Sequence, residues 1–103
     1  MVFGVGGYVC LPLMIAAQRM GYATMIHEQN KRLGMANTML APRATHIFLS
    51  YEDTVGLPAS LSGGVRVVGN PVRAGFATPP ESTAAREHFG FAPEIPVVLV
   101  VGG

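Results

Sequence analysis

The chain has 103 residues, half of them hydrophobic and only 13% charged, with a formal net charge of +1. That length holds one small domain; the balance is too apolar for a disordered segment and too neutral for a general nucleic-acid binder. A single cysteine, Cys10, excludes an internal disulfide, and no Cys/His spacing suits zinc.

Taken in chain order, Met1 to Phe3 is an apolar strand stub that feeds Gly4-Val5-Gly6-Gly7-Tyr8. Pro12 at a first-turn position opens a helix with Leu13, Ala16, Ala17 and Met20 as its core stripe, and Arg19 and Gly21 give its stop signals. The apolar run from Tyr8 to Ala17 is far shorter than the roughly 20 residues of a spanning helix. It also lacks the basic start of a secretory signal, so a cytoplasmic setting is expected. Ala23 to His27 is the next strand. Leu33, Ala36, Met39 and Leu40 line one side of a second helix, ended by Pro42. His46 to Leu49 reads as a third strand, Tyr51 to Leu57 as one or two helical turns, and Val65 to Val68 as a fourth strand.

Ala74 to Pro80 has the composition of a connection. Glu81 to Phe89 is a helix capped by Gly90, and Pro96 to Val101 is a β-branched run that reads as a strand before Gly102-Gly103. Strands alternating with helices predict an α/β fold with a Rossmann-like parallel sheet. Met14, Met20, Met25, Met35 and Met39 read as core packing. The sheet lacks crossover partners at both ends, which predicts an excised piece of a larger protein.

Three polar clusters follow strands: the glycine loop at Gly6-Gly7-Tyr8, His27-Glu28-Gln29-Asn30 with Gly34 and Asn37, and Gly69-Asn70-Pro71-Val72-Arg73. In open α/β sheets the carboxyl ends of the strands are where ligands bind, and polar side chains are costly to bury there without partners. The glycine amides can meet a diphosphate or simply make a tight turn. Glu28 can take a proton or accept from sugar hydroxyls, or it can cap the helix that follows. His27 can carry a proton or orient the loop, or be a satisfied structural residue. Asn30 pairs a donor with an acceptor, Asn37 lies further along the helix or faces solvent, and Arg73 is a fork suited to phosphate.

Together, in this order and at these spacings, Gly-Gly-Tyr-Val, His-Glu-Gln-Asn and Gly-Asn-Pro-Val-Arg resemble the MurG family of glycosyltransferases. The resemblance implies a GT-B architecture of two Rossmann-like domains around a cleft. It assigns residues 1–73 to the second half of the amino-terminal acceptor-side domain, 74–95 to the interdomain connection and helix, and 96–103 to the first strand of the donor-side domain. A first glycine loop upstream and a Ser-Gln-Gly-Ala loop after Gly103 would be missing from this piece.

The implied reaction transfers N-acetylglucosamine from UDP-N-acetylglucosamine to undecaprenyl-pyrophosphoryl-muramyl-pentapeptide, converting lipid I to lipid II in peptidoglycan synthesis. On that map Asn30 and Arg73 contact the UDP-sugar. Gly6, Gly7, Tyr8, His27 and Asn37 line the acceptor cleft, and Glu28 is the catalytic candidate. The resemblance further implies no cofactor, no bound metal, no nucleic-acid partner, and peripheral contact with the cytoplasmic face of the bacterial plasma membrane. Glu52-Asp53 is an exposed turn, not a metal-binding pair. Two rivals share parts of the pattern: another lipid-directed GT-B transferase, and a non-catalytic acceptor-binding or scaffold module that pairs with a separate donor domain.

Two positions depart from the family pattern. Cys10-Leu11 replaces Ser-Gly, and leucine cannot take the angles open to glycine. Lys31-Arg32 replaces a small apolar stretch and adds positive charge.

Overall fold

The computed structural model describes residues 1–102. Four strands, β1 (Val2–Gly4), β2 (Thr24–Glu28), β3 (His46–Leu49) and β4 (Gly64–Val67), form one sheet in the order β1-β2-β3-β4. Every neighbouring pair is parallel, with Phe3 opposite Met25, Met25 opposite His46 and His46 opposite Gly64. The expected parallel α/β architecture is therefore the observed one.

Helix α1 (Leu11–Arg19) makes the first crossover and α2 (Met35–Leu40) the second. Both pack on the sheet face that carries Ile26, Ile47 and Leu49, where Met14 and Leu40 complete the core. Gln18 ties the layers, donating from Nε2 to Thr24 Oγ1 at 3.3 Å and to Leu40 O at 3.0 Å. The second bond satisfies a carbonyl at the end of α2 that the helix itself leaves open. Gly63 precedes β4 where the chain passes against Ala44 and Thr45; a Cβ there would overlap both carbonyl oxygens.

The structure corrects several expectations. In α1 the buried residues are Met14 and Ala17, while Leu13, Ala16 and Met20 face outward. This helix is apolar on nearly every side, so periodicity could not choose its inner face. Met20, Met35 and Met39 are likewise more than half exposed and are not core. Tyr51 to Leu57 forms no helix. Val55 instead bridges to Arg32, with Val55 N donating to Lys31 O and Leu33 N donating to Val55 O. Gly56, at φ +92°, and Pro58 end any helical path there.

The chain divides into two units, Met1–Pro71 and Val72–Gly103. In the second, a 3-10 turn (Ala74–Phe76) precedes α3 (Ser82–Phe89), which stops at Gly90 in the left-handed conformation, as its sequence predicts. Arg86 secures the following turn through Ala92 O and Ile95 O. Residues 96–102 adopt no strand, and Val98 to Val101 are more than four-fifths exposed. A β-branched run becomes a strand only when a neighbour supplies its hydrogen bonds. Gly103 lies outside the described residues.

Candidate functional site

At the carboxyl end of the sheet three segments enclose a cavity of about 230 Å³. One wall is the loop Val5 to Tyr8, another the strand end Glu28 to Asn30, and the third the start of α2 from Gly34 to Asn37. Gly6 and Gly7 have φ of +87° and +79°, so the loop depends on residues without a side chain. Tyr8 opens a 3-10 turn that leads into α1 and stays largely exposed. Leu11 sits at φ −59°, ψ −50°, ordinary helical angles that leucine accepts without strain, so the departure from glycine costs the loop nothing.

Alternation along β2 sends neighbouring side chains to opposite faces. Glu28 points toward α2 and is 2% exposed. Its Oε1 accepts from Asn30 N at 3.1 Å and Asn30 Nδ2 at 2.9 Å. Its Oε2 accepts from Gly34 N at 2.8 Å and Asn37 Nδ2 at 2.9 Å. A carboxylate has about four lone-pair sites, and all of them are engaged. Burial opposes the charge, yet the bonds from Gly34, Asn37 and Asn30 together outweigh it and hold the carboxyl below its ordinary value. Glu28 thus closes the open end of α2 from outside the helix, where the helix dipole favours a negative group.

Asn37 is 1% exposed, not solvent-facing. Its Nδ2 donates to His27 O at 3.0 Å as well as to Glu28. Both partners are acceptors, so the amide orientation is fixed, and Oδ1 is left buried without a partner among the described residues. Gly6 lies directly over this amide; a Cβ on it would come within 3.5 Å of Nδ2.

His27 points to the other face, 3% exposed, with Nε2 at 3.1 Å from Gly69 O. Gln29, which the sequence placed in the polar cluster without assigning it a role, reaches both His27 Nδ1 and Val5 O at 3.2 Å. Its position two residues after His27, just past the end of an alternating strand, was the available signal. The fold therefore gathers Gly6, Gly7, Tyr8, Glu28, Asn30 and Asn37 around one cavity, with His27 behind it. Arg73 belongs to the second unit, as the residue that precedes its 3-10 turn. The extra positive charge of Lys31 is met by Asp53 at 2.7 Å, on the surface and beside Tyr51. Among the described residues no group of His, Cys, Asp and Glu could hold a metal ion.

Comparison with known proteins now bears on this geometry. Residues 1–49, which contain the cavity, match the glycosyltransferase family 28 N-terminal domain. The UDP-N-acetylglucosamine–N-acetylmuramyl-(pentapeptide) pyrophosphoryl-undecaprenol N-acetylglucosamine transferase of Thermus thermophilus is 44% identical over 99% of this chain. The enzyme of the same name from Chlorobium limicola is 39% identical over the same share. The chain is homologous to the MurG glycosyltransferases. It spans 29% and 27% of those two relatives' lengths. The crystal structure of Acinetobacter baumannii MurG aligns with a TM-score of 0.54 at 36% identity, covering 68% of this chain and 19% of that one. The parallel sheet thus resembles the matched part of that MurG structure.

Proposed function

We propose that this chain forms the acceptor-side wall of a MurG-type GT-B glycosyltransferase. The enzyme would transfer N-acetylglucosamine from UDP-N-acetylglucosamine to undecaprenyl-pyrophosphoryl-muramyl-pentapeptide. The observation that carries this reading is the cavity between the double-glycine loop and the Glu28–Asn37 network, within the stretch homologous to the transferases. Such a wall suits an oxygen-rich ligand: main-chain amides and asparagine groups recognise hydroxyl, amide and phosphate oxygens at short range.

In this reading the 4-hydroxyl of the muramyl sugar attacks the anomeric carbon, its proton passes to a base supplied by the remainder of the transferase, and UDP leaves with the electrons of the broken glycosyl–phosphate bond. Asn30 is presented to the cavity by its bonds to Glu28, and Arg73 engages the donor. Glu28, with its lone pairs occupied and its basicity reduced, organises Asn30, Gly34 and Asn37 instead of accepting the proton. Peripheral contact with the cytoplasmic face of the plasma membrane is supported by exposed apolar residues in and flanking α1. Val9 in the preceding 3-10 turn, Leu13 in the helix and Met20 just after it are 96%, 65% and 70% exposed, with Arg19 at the helix end. Among the described residues no helix is long and apolar enough to cross a membrane.

The test is a chimera in which residues 1–103 replace the matching segment of the Thermus thermophilus relative. Transfer of N-acetylglucosamine to a lipid I analogue is expected to persist. A folded chimera that binds neither substrate would overturn the reading.

A further inference from the structure

We propose that His27 and Gln29 are positioning residues that fix the cavity loop and the Gly69-Asn70 peptide to one another. Both ends of this link are peptides with unusual freedom. Val5 leads into two glycines at positive φ, and Gly69 itself sits at φ +77°, two residues before the first unit ends at Pro71. Gly6, Gly7 and Gly69 have no side chain of their own to hold these peptides, and ordering such backbone is costly in entropy.

The hydrogen bonds between them have only one consistent direction. Gly69 O can only accept, so His27 Nε2 carries the proton; the unprotonated Nδ1 then accepts from Gln29 Nε2. The second hydrogen of that amide goes to Val5 O, also an acceptor. Moving the imidazole proton to Nδ1 would leave Gly69 O without a donor and set one N–H against another. The four groups therefore act as a unit: loosening the loop at Val5 frees the ring that holds Gly69. The chain is part-buried at His27 and open at Val5, and bonds in series of this kind restrain what they join. The inference needs no ligand and no reaction, so it goes beyond the transferase reading and can fail independently of it.

The test is NMR on the isotope-labelled 103-residue chain without any ligand. The His27 ring is expected in the Nε2–H form; the Nδ1–H form, or a solvent-like mixture, overturns the proposal. The decisive variant is Gln29→Ala, with Gln29→Glu as a same-size replacement that removes the donor. The Gly6 amide, whose peptide contains Val5 O, must shift in either. The proposal requires the Asn70 amide, whose peptide contains Gly69 O, to shift too, together with the His27 ring nitrogens. A shift confined to Gly6, with Asn70 and the ring unchanged, means the two bonds are independent, and the proposal fails.

Discussion

Asn37 Nδ2 bridges Glu28 Oε2 at 2.9 Å and His27 O at 3.0 Å, so one buried amide joins the start of α2 to the last two residues of β2. Every wall of the cavity leans on that amide, because Glu28 in turn holds Asn30 and Gly34, and Gly6 lies over Nδ2.

Replacing Asn37 by Ala leaves a buried carboxylate short of a donor, and urea unfolding is expected to show a loss of about 1–3 kcal/mol. Asn37→Asp is expected to be worse at pH 7, since two adjacent carboxylates cannot both ionise. The pKa of the pair is then raised in the folded state. The deficit should therefore shrink as the pH falls toward 5, the opposite of the parent chain.

In the parent chain Glu28 titrates below its ordinary value of 4.5 when folded. Just below that value the unfolded chain binds the extra proton and the folded one does not. Stability from this group is thus complete above about pH 4.5 and is lost as the pH falls through the lower, folded value. Denaturation midpoints between pH 3 and 7 should follow that course. Glu28→Gln should flatten it at a cost of about 1–3 kcal/mol, because its amide turns donors toward donors.

Gly63→Ala tests a close approach of main chains. The new methyl would overlap Ala44 O and Thr45 O, which belong to backbone and cannot rotate away. An overpacked site of this kind costs about 1–3 kcal/mol. Thermal melting should show the loss here, while Gly75→Ala, in open space, should leave the midpoint nearly unchanged.

In the chimeric transferase, Asn30→Ala and Arg73→Ala are each expected to lower transfer by very roughly ten- to a hundredfold. Loss of a hydrogen bond to a charged ligand is worth about 1.5–3 kcal/mol. Steady-state kinetics decide this, and parental rates in both variants would remove the two residues from the donor site.

The membrane reading predicts that Leu13→Asp with Met20→Asp reduces co-sedimentation with anionic vesicles at least about tenfold, since each buried apolar side chain contributes about 1.5–3 kcal/mol. Both positions are exposed, so the melting midpoint should barely move. Equal vesicle binding by parent and variant would place the contact elsewhere.

Strand-forming runs and breakers are local signals, and here they carried far. The positions of β2 and β3, the stop at Gly90 and the family resemblance all followed from residue type and spacing. Which side of α1 faces the core did not, because an all-apolar helix has no preferred face until a sheet is set against it. Likewise the run at Val97 to Val101 has the composition of a strand, but a strand exists only through pairing. The glycine loop, His27, Glu28, Asn30 and Asn37 could be grouped as a candidate site from sequence, yet which of them would bond to which could not. Only tertiary structure sends Glu28 to α2 and His27 to Gly69, because alternation fixes that the two diverge but not what each will meet.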